Sequence, residues 1–173
     1  MIPYQKLINS LIKRGYEILG TGCYSIVFKS KRSDSVIKIG STLADPWLIY
    51  AETVQNLNNP HFPKIYKIHQ FEHLDYYVAR VERLEPIDVD FTQYRSFRDE
   101  MLNNRPSSEA SRQAVYTLNQ LLSRMDYAKL DLHLENIMLR GDTFVLSDPI
   151  AEREIESSFE AWIEENLPTE YSL

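Results

Sequence analysis

Apolar residues recur along this chain in two rhythms, and the switches between them mark out its elements. In residues 2–14, Ile2, Leu7, Ile8, Leu11 and Ile12 stand among polar neighbours close to helical spacing, which predicts a short amphipathic helix. The rhythm then becomes that of strands over Tyr16 to Leu19, Ser25 to Ser30 and Val36 to Ile39. Gly20-Thr21-Gly22 reads as the first turn between them, and Lys31 to Ser35 as a polar second one. Asp45-Pro46 opens a helix, with Asp as N-cap and Pro at the first helical position. Trp47, Tyr50, Val54 and Leu57 follow at spacings of three and four and form its apolar stripe. After a loop at Pro60 to Pro63, Ile65 to Phe71 and Tyr76 to Val81 predict two more strands. Val81 to Pro86 then leaves the sheet.

The second half is helical first. Residues 87–106 are polar with Phe91, Tyr94 and Phe97 interspersed, a short helix before Pro106. Ser107 or Ser108 caps a stronger one, with Glu109 in its first turn and Val115, Leu118, Leu122 and Met125 on one face. The stretch from Asp131 to Pro149 reads DLHLENIMLRGDTFVLSDP. Its two apolar runs, Ile137 to Leu139 and Phe144 to Leu146, flank Arg140-Gly141-Asp142-Thr143. That is a hairpin signal, because Gly tolerates positive φ and Asp bonds its own backbone. Phe159 to Ile163, around Trp162, predicts a last helix packed under this stretch. The whole is of the α+β class.

The hairpin gives the chain its candidate chemistry. It would bring Asn136 and Asp148, at its outer ends, together, with the carboxylate of Asp131 just upstream. Paired oxygen ligands of this kind suit a hard cation that bridges phosphates. In the first half, the glycines of Gly20-Thr21-Gly22 would let backbone N–H groups approach phosphate oxygens without a Cβ in the way. Lys38 lies in a β-branched strand, where a buried ammonium needs a partner such as a phosphate. A dinucleotide fingerprint needs a helix directly after its glycines, and here Ser25-Ile26-Val27-Phe28 is strand. No Gly-Lys-Ser/Thr of a Walker loop occurs. His61, His69 and His73 have no metal spacing.

Composition narrows the classes. A net charge of −6 argues against a protein that coats nucleic acid, whose phosphates call for a basic surface. The single cysteine, Cys23, leaves no internal disulfide and no multi-cysteine zinc site, and fits a reducing, cytoplasmic setting. The first residues lack the apolar core of a signal peptide, and no apolar run approaches the ~20 residues of a membrane span.

Taken in order, GTGCYSIVF, VIK, DLHLENIML and LSDP resemble the protein-kinase-like fold from about Gly15 to about Ile150. Within it they are most similar to small phage-encoded early serine/threonine kinases of the T-odd coliphage type, which modify host transcription machinery. The resemblance implies a minimal two-lobed fold. Residues 1–85 would form an antiparallel-sheet lobe with one main helix, and residues 86–173 a strongly reduced helical lobe carrying the catalytic loop. It implies ATP and Mg2+ as cofactors and a protein acceptor. Asp131 resembles the base that orients the acceptor hydroxyl, and Asn136 and Asp148 resemble the magnesium ligands. Lys38 looks like the lysine that holds the α- and β-phosphates, with Gly20, Thr21, Gly22 and Ser25 covering them. Val27, Val36 and Met138 would sandwich the adenine, and the backbone around Glu82 and Leu84 would bond its edge.

Several residues depart from the family pattern. Ser25 replaces the third glycine of the loop. Lys129-Leu130 stand where His-Arg usually precede the base, which removes the usual receptor for an activating phosphate. Asp148 is followed by Pro-Ile, which argues against a flipping switch, and the remaining chain is too short for a large substrate platform. Glu52 is the one acid in the helix interior that could pair with Lys38, yet it projects nearly opposite the Trp47/Tyr50/Val54/Leu57 stripe, as a solvated residue would. His133 stands where protein kinases usually carry Lys and small-molecule kinases often carry His. Two alternatives therefore stand beside the protein kinase: a kinase of the aminoglycoside phosphotransferase type, and a nucleotide-binding pseudokinase that acts by docking. Oligomeric state is not legible.

Overall fold

A computed structural model describes residues 4–43, 45–88 and 91–153. Its elements are α1 (Gln5–Lys13), β1 (Glu17–Thr21), β2 (Ser25–Lys29), β3 (Ser35–Ser41), α2 (Pro46–Val54), β4 (Ile65–Phe71) and β5 (Tyr76–Glu82). There follow α3 (Phe91–Leu102), α4 (Glu109–Leu122), β6 (Ala128–Leu130), β7 (Ile137–Arg140), β8 (Thr143–Leu146) and β9 (Ile150–Glu152). The fold is α+β, and the described residues divide into two compact units. One holds the chain up to Leu48 together with Ile65–Arg83; the other holds Ile49–Lys64 together with Leu84–Arg153. Residues 49–64 thus group with the second unit, although they precede the last two strands of the first.

The first unit is a five-stranded antiparallel sheet in the order β1-β2-β3-β5-β4. Side chains alternate across a strand, so each strand offers one set of residues to each face. Ile26, Phe28, Ile39 and Tyr76 turn to the face covered by α1, where they bury Tyr4, Ile8 and Leu11. Ile8, Ile26, Phe28 and Ile39 are fully enclosed, and each such side chain contributes about 1.5–3 kcal/mol by leaving water. Gly15, just past the C-cap Arg14, ends α1 with φ +79, a left-handed conformation that glycine adopts without strain. The opposite face carries Val27, Lys38 and Ala79 in one cross-strand row, with Gly40 beside Tyr77 in the next row but one.

Strand β1 runs through Gly20 and Thr21, and the chain bends over Gly22, Cys23 and Tyr24 instead. The turn predicted at Gly20-Thr21-Gly22 is therefore displaced: a bulge between Ile18 and Gly20 lets the ladder continue to the pair Thr21–Ile26. Neither Gly20 nor Gly22 has positive φ. Helix α2 begins as expected, with Trp47 N–H donating to Asp45 Oδ1 at 3.0 Å. It buries Trp47, Tyr50, Ala51 and Val54, and ends too early to include Leu57, which is exposed.

The second unit is built on α3 and α4. Ser108 caps α4 by accepting from Ser111 N–H, while Ser111 Oγ reaches back to Ser108 N–H. Tyr94, Phe97 and Met101 of α3 and Ala114, Val115, Leu118 and Leu121 of α4 are buried. Leu121 thus takes the core place expected of Leu122, which is half-buried. The predicted helix around Trp162 lies outside the described residues. The predicted hairpin is β7–β8, paired from Ile137–Leu146 to Arg140–Thr143, with Gly141 at φ +58 as the first of its two turn residues.

Candidate active-site residues

Two short ladders in the second unit place the acidic loop. Strand β6 leads into Asp131 and pairs antiparallel with β9, which leaves from Asp148; Leu130 faces Ile150 and Lys129 faces Ala151. Asp131 N–H continues this ladder by donating to Pro149 O at 2.9 Å. The β7–β8 hairpin closes the other side. At its open end, Ser147 N–H and Asp148 N–H donate to Asn136 O at 2.9 and 3.2 Å, and Ser147 Oγ donates to the same carbonyl at 2.9 Å. Asn136 Nδ2 donates to Asp131 O at 3.0 Å and to Asp131 Oδ2 at 3.1 Å. The structure thus brings Asp131, Asn136 and Asp148 into one hydrogen-bonded group.

The chemistry of the group follows from which atoms are engaged. The amide nitrogen of Asn136 is turned to Asp131, which leaves its Oδ1 as the accepting end. The side chains of Asn136 and Asp148 carry oxygen donors of the kind that would suit a hard divalent cation. No group of three or more His, Cys, Asp or Glu able to hold a metal occurs among the described residues. A magnesium held by Asn136 and Asp148 would draw its remaining ligands from phosphate and water, as that ion commonly does. His133 stands beside Asp131, with Nε2 3.5 Å from Asp131 Oδ2. Its Nδ1 accepts from Glu135 N–H at 3.3 Å, which leaves Nε2 on the side of Asp131.

Residues outside the motif hold this loop. The carbonyl of Leu132, next to Asp131, accepts from Tyr94 Oη at 2.9 Å and from Arg98 Nε at 3.0 Å, both on α3. Strand β8 is fixed by Tyr50 Oη donating to Leu146 O at 2.5 Å and by Leu146 N–H donating to His61 O at 2.9 Å. Burial, and then the carboxylate of Asp148, raise the Tyr50 hydroxyl well above its ordinary pKa. Arg140 ties the hairpin to the 60–62 loop by donating to Pro60 O and Phe62 O at 3.0 and 2.9 Å. Glu85 and Leu139 exchange backbone hydrogen bonds of 2.9 and 2.8 Å, so the segment predicted to leave the sheet is itself anchored. Tyr94 and Arg98 carry no signal in the sequence, because a contact to a carbonyl depends on packing and not on spacing.

In the first unit, Lys38 is only 5% exposed, and its Nζ lies 4.2 Å from the centroid of the Trp47 ring. Val27 and Val36 share its face of the sheet, flanking it across and along the strands. A Cβ added at Gly20 or Gly22 would meet no heavy atom, so both backbones are open to approach. Ser25 is buried at the start of β2, and its carbonyl accepts from Gly22 N–H at 2.8 Å. Thr21 is half-buried. Glu82 closes β5 opposite Ser35 and is buried, while Arg83 N–H is taken up by Asp34 O at 2.9 Å. In the second unit, Leu84 is buried, Met138 is half-buried opposite Val145, and Glu52 is exposed on α2.

No family model matches the chain, and no curated protein matches it. Among solved structures it is similar to Rad53 residues 1–466 in complex with AMP-PNP, at 17% identity and a TM-score of 0.39. That alignment covers 86% of this chain and 40% of the other. It is also similar to the PK-1 kinase of Cydia pomonella granulovirus, at 17% identity and a TM-score of 0.40, over 88% of this chain and 58% of the other. This chain therefore spans about half the length of those proteins. Among the described residues no helix is long and apolar enough to cross a membrane.

Proposed function

We propose that this protein is a magnesium- and ATP-dependent phosphotransferase that acts on serine and threonine hydroxyls of a protein acceptor. The observation that supports this best is the convergence of Asp131, Asn136 and Asp148 on two short ladders, with the Asn136 amide bonded to Asp131 and the Asp148 N–H bonded to Asn136. Phosphoryl transfer asks a protein for positioning and charge neutralisation more than for covalent chemistry, and such a group supplies both. In this reading Asp131 orients the acceptor hydroxyl, and Asn136 and Asp148 hold magnesium, which when bound neutralises phosphate oxygens. Lys38 holds the α- and β-phosphates, and the backbone of Gly20, Thr21, Gly22 and Ser25 covers them. Val27, Val36 and Met138 flank the adenine, whose edge bonds the backbone near Glu82 and Leu84. Glu52, exposed as it is, serves this reading less than the others do. The resemblance in sequence directs the acceptor toward host transcription machinery, and the site of action toward the cytoplasm.

A second reading rests on His133. Its ring beside Asp131 suits a kinase of a small hydroxyl compound, where a second polar group next to the base helps to orient the acceptor.

Purified protein incubated with magnesium and γ-labelled ATP separates these readings. Asp131→Ala and Lys38→Ala would be run alongside, with a basic protein, an aminoglycoside and a cell lysate as acceptors. Label on protein that disappears in both variants is the expected result. Label on the small compound alone favours the second reading. Nucleotide binding without transfer to any acceptor would replace catalysis by docking, and no binding at all would defeat the proposal.

A further inference from the structure

Lys38 occupies a costly position, since an ammonium removed from water at the middle of a sheet needs compensating negative potential. The face of an indole supplies some without a full opposite charge. We propose that Trp47 is a positioning residue for Lys38, its ring holding the ammonium extended along the sheet for the phosphates of a nucleotide. This rests on the phosphotransferase reading and adds to it a residue that the sequence pattern assigns only to the core.

The ring is itself buried and stacked. Trp47 is 1% exposed and lies stacked on Tyr77, with ring centroids 5.5 Å apart and planes 17° from parallel. Tyr77 Oη donates to Asp45 Oδ2 at 2.5 Å, and Asp45 Oδ1 accepts from Trp47 N–H at 3.0 Å. One carboxylate thus fixes both the backbone that carries the indole and the phenol beneath it. Gly40 makes room for this arrangement, because a Cβ there would lie 2.5 Å from Tyr77 Oη and 2.7 Å from Asp45 Oδ2. A tryptophan needed only for bulk would not require its plane to be set this way under a cation. The ring need not be the sole partner of Lys38. Its particular property is that a π face can yield the ammonium to a more negative ligand, whereas a tight carboxylate would compete with it.

The chain has two tryptophans, so Trp162→Phe leaves Trp47 as the only one. In that background, Lys38→Met should change the emission of Trp47, because the cation leaves the ring. Adding Mg·AMP-PNP should change it in the parent and not in the Lys38→Met variant. Trp47→Phe keeps a π face and should hold the KM for ATP within about threefold, while Trp47→Leu raises it about tenfold at similar Tm. Emission indifferent to Lys38→Met, or equal KM values for the Phe and Leu variants, would overturn the inference. Should Trp47→Leu not fold, the emission comparison decides alone. Calorimetry with Mg·AMP-PNP separates the two levels. A parent that binds no nucleotide loses the functional reading, and the phosphate role of Trp47 with it. A parent that binds normally but shows no Lys38-dependent emission loses the role of Trp47 alone.

Discussion

Lys38 and Asp131 are charged residues held in two different ways, one in each unit. Lys38 stands in the third of five strands, is nearly inaccessible, and is flanked by side chains: an indole on its ammonium, valines on its sheet face and a phenol behind the indole. Asp131 is about one-third exposed, and is held through the backbone around it: its own N–H by Pro149 O, its carbonyl by Asn136, and the next carbonyl by Tyr94 and Arg98. The first arrangement depends on shape, because a flexible lysine stem is restrained by the walls around it. The second depends on hydrogen bonds, because a short carboxylate is placed once its backbone is placed. A change of volume should therefore damage the first, and loss of a single donor the second.

The largest effect expected is at Asp131 itself. Asp131→Ala should lower kcat by roughly a thousandfold, equivalent to about 4 kcal/mol of barrier, while leaving nucleotide binding within about twofold. Label transfer and calorimetry measure the two sides. A parallel loss of binding would mean that the loop is not held by its backbone in the way described.

Volume is tested next, at Gly40. Gly40→Ala sets a methyl against the buried Tyr77 hydroxyl and the Asp45 carboxylate, and should cost about 1–3 kcal/mol of stability in chemical denaturation. Because the same atoms support Trp47, the KM for ATP should rise with it. A variant as stable as the parent would show that this wall is not rigid.

Loss of one donor is a smaller change. Tyr94→Phe and Arg98→Ala each leave Leu132 O with one hydrogen bond fewer, which should cost about 1 kcal/mol apiece. Both should reduce kcat severalfold with the KM for ATP unchanged, and the double variant should lose more than the sum if the two donors share one task. An altered KM with unaltered kcat would reverse the assignment.

The smallest difference is in alkali. Burial pushes the Tyr4 hydroxyl of the first unit from its ordinary value of 10.0 to about 12, and burial with Asp148 raises Tyr50 of the second unit well above the same ordinary value. Above pH 10.0 the unfolded chain releases these protons and the folded chain keeps them. The stability they contribute is thus complete below that pH and falls as pH rises toward about 12. Tyr4→Phe should flatten this decline in a urea-denaturation series from pH 9 to 11, most visibly with a probe in the first unit.

Much of the architecture was legible in the chain because it is written in local patterns. The 3.6-residue rhythm of α1 and α4, the alternation of β4 and β5, the Asp45-Pro46 start of α2 and the Arg140-Gly141-Asp142-Thr143 turn each depend on neighbours in sequence. The spacing of Asp131, Asn136 and Asp148 was legible for the same reason, since a hairpin brings its own ends together. Other features were not. The bulge that carries β1 through Gly20 depends on its partner strand. Strands β6 and β9, three residues each, are too short to alternate visibly. Leu57 continued the rhythm of α2 past the point where the helix stops.

What the sequence determined by itself, then, is the order of elements, the two charged motifs and the hairpin that unites one of them. Only tertiary structure decided that the aromatic stripe of α2 would put an indole against Lys38, and that α3 would spend two donors on a single carbonyl beside Asp131. Spacing tells which side chains share a face of one element. Which group of a distant element meets that face depends on packing, where shape, burial and the need of every enclosed polar group for a partner are settled together.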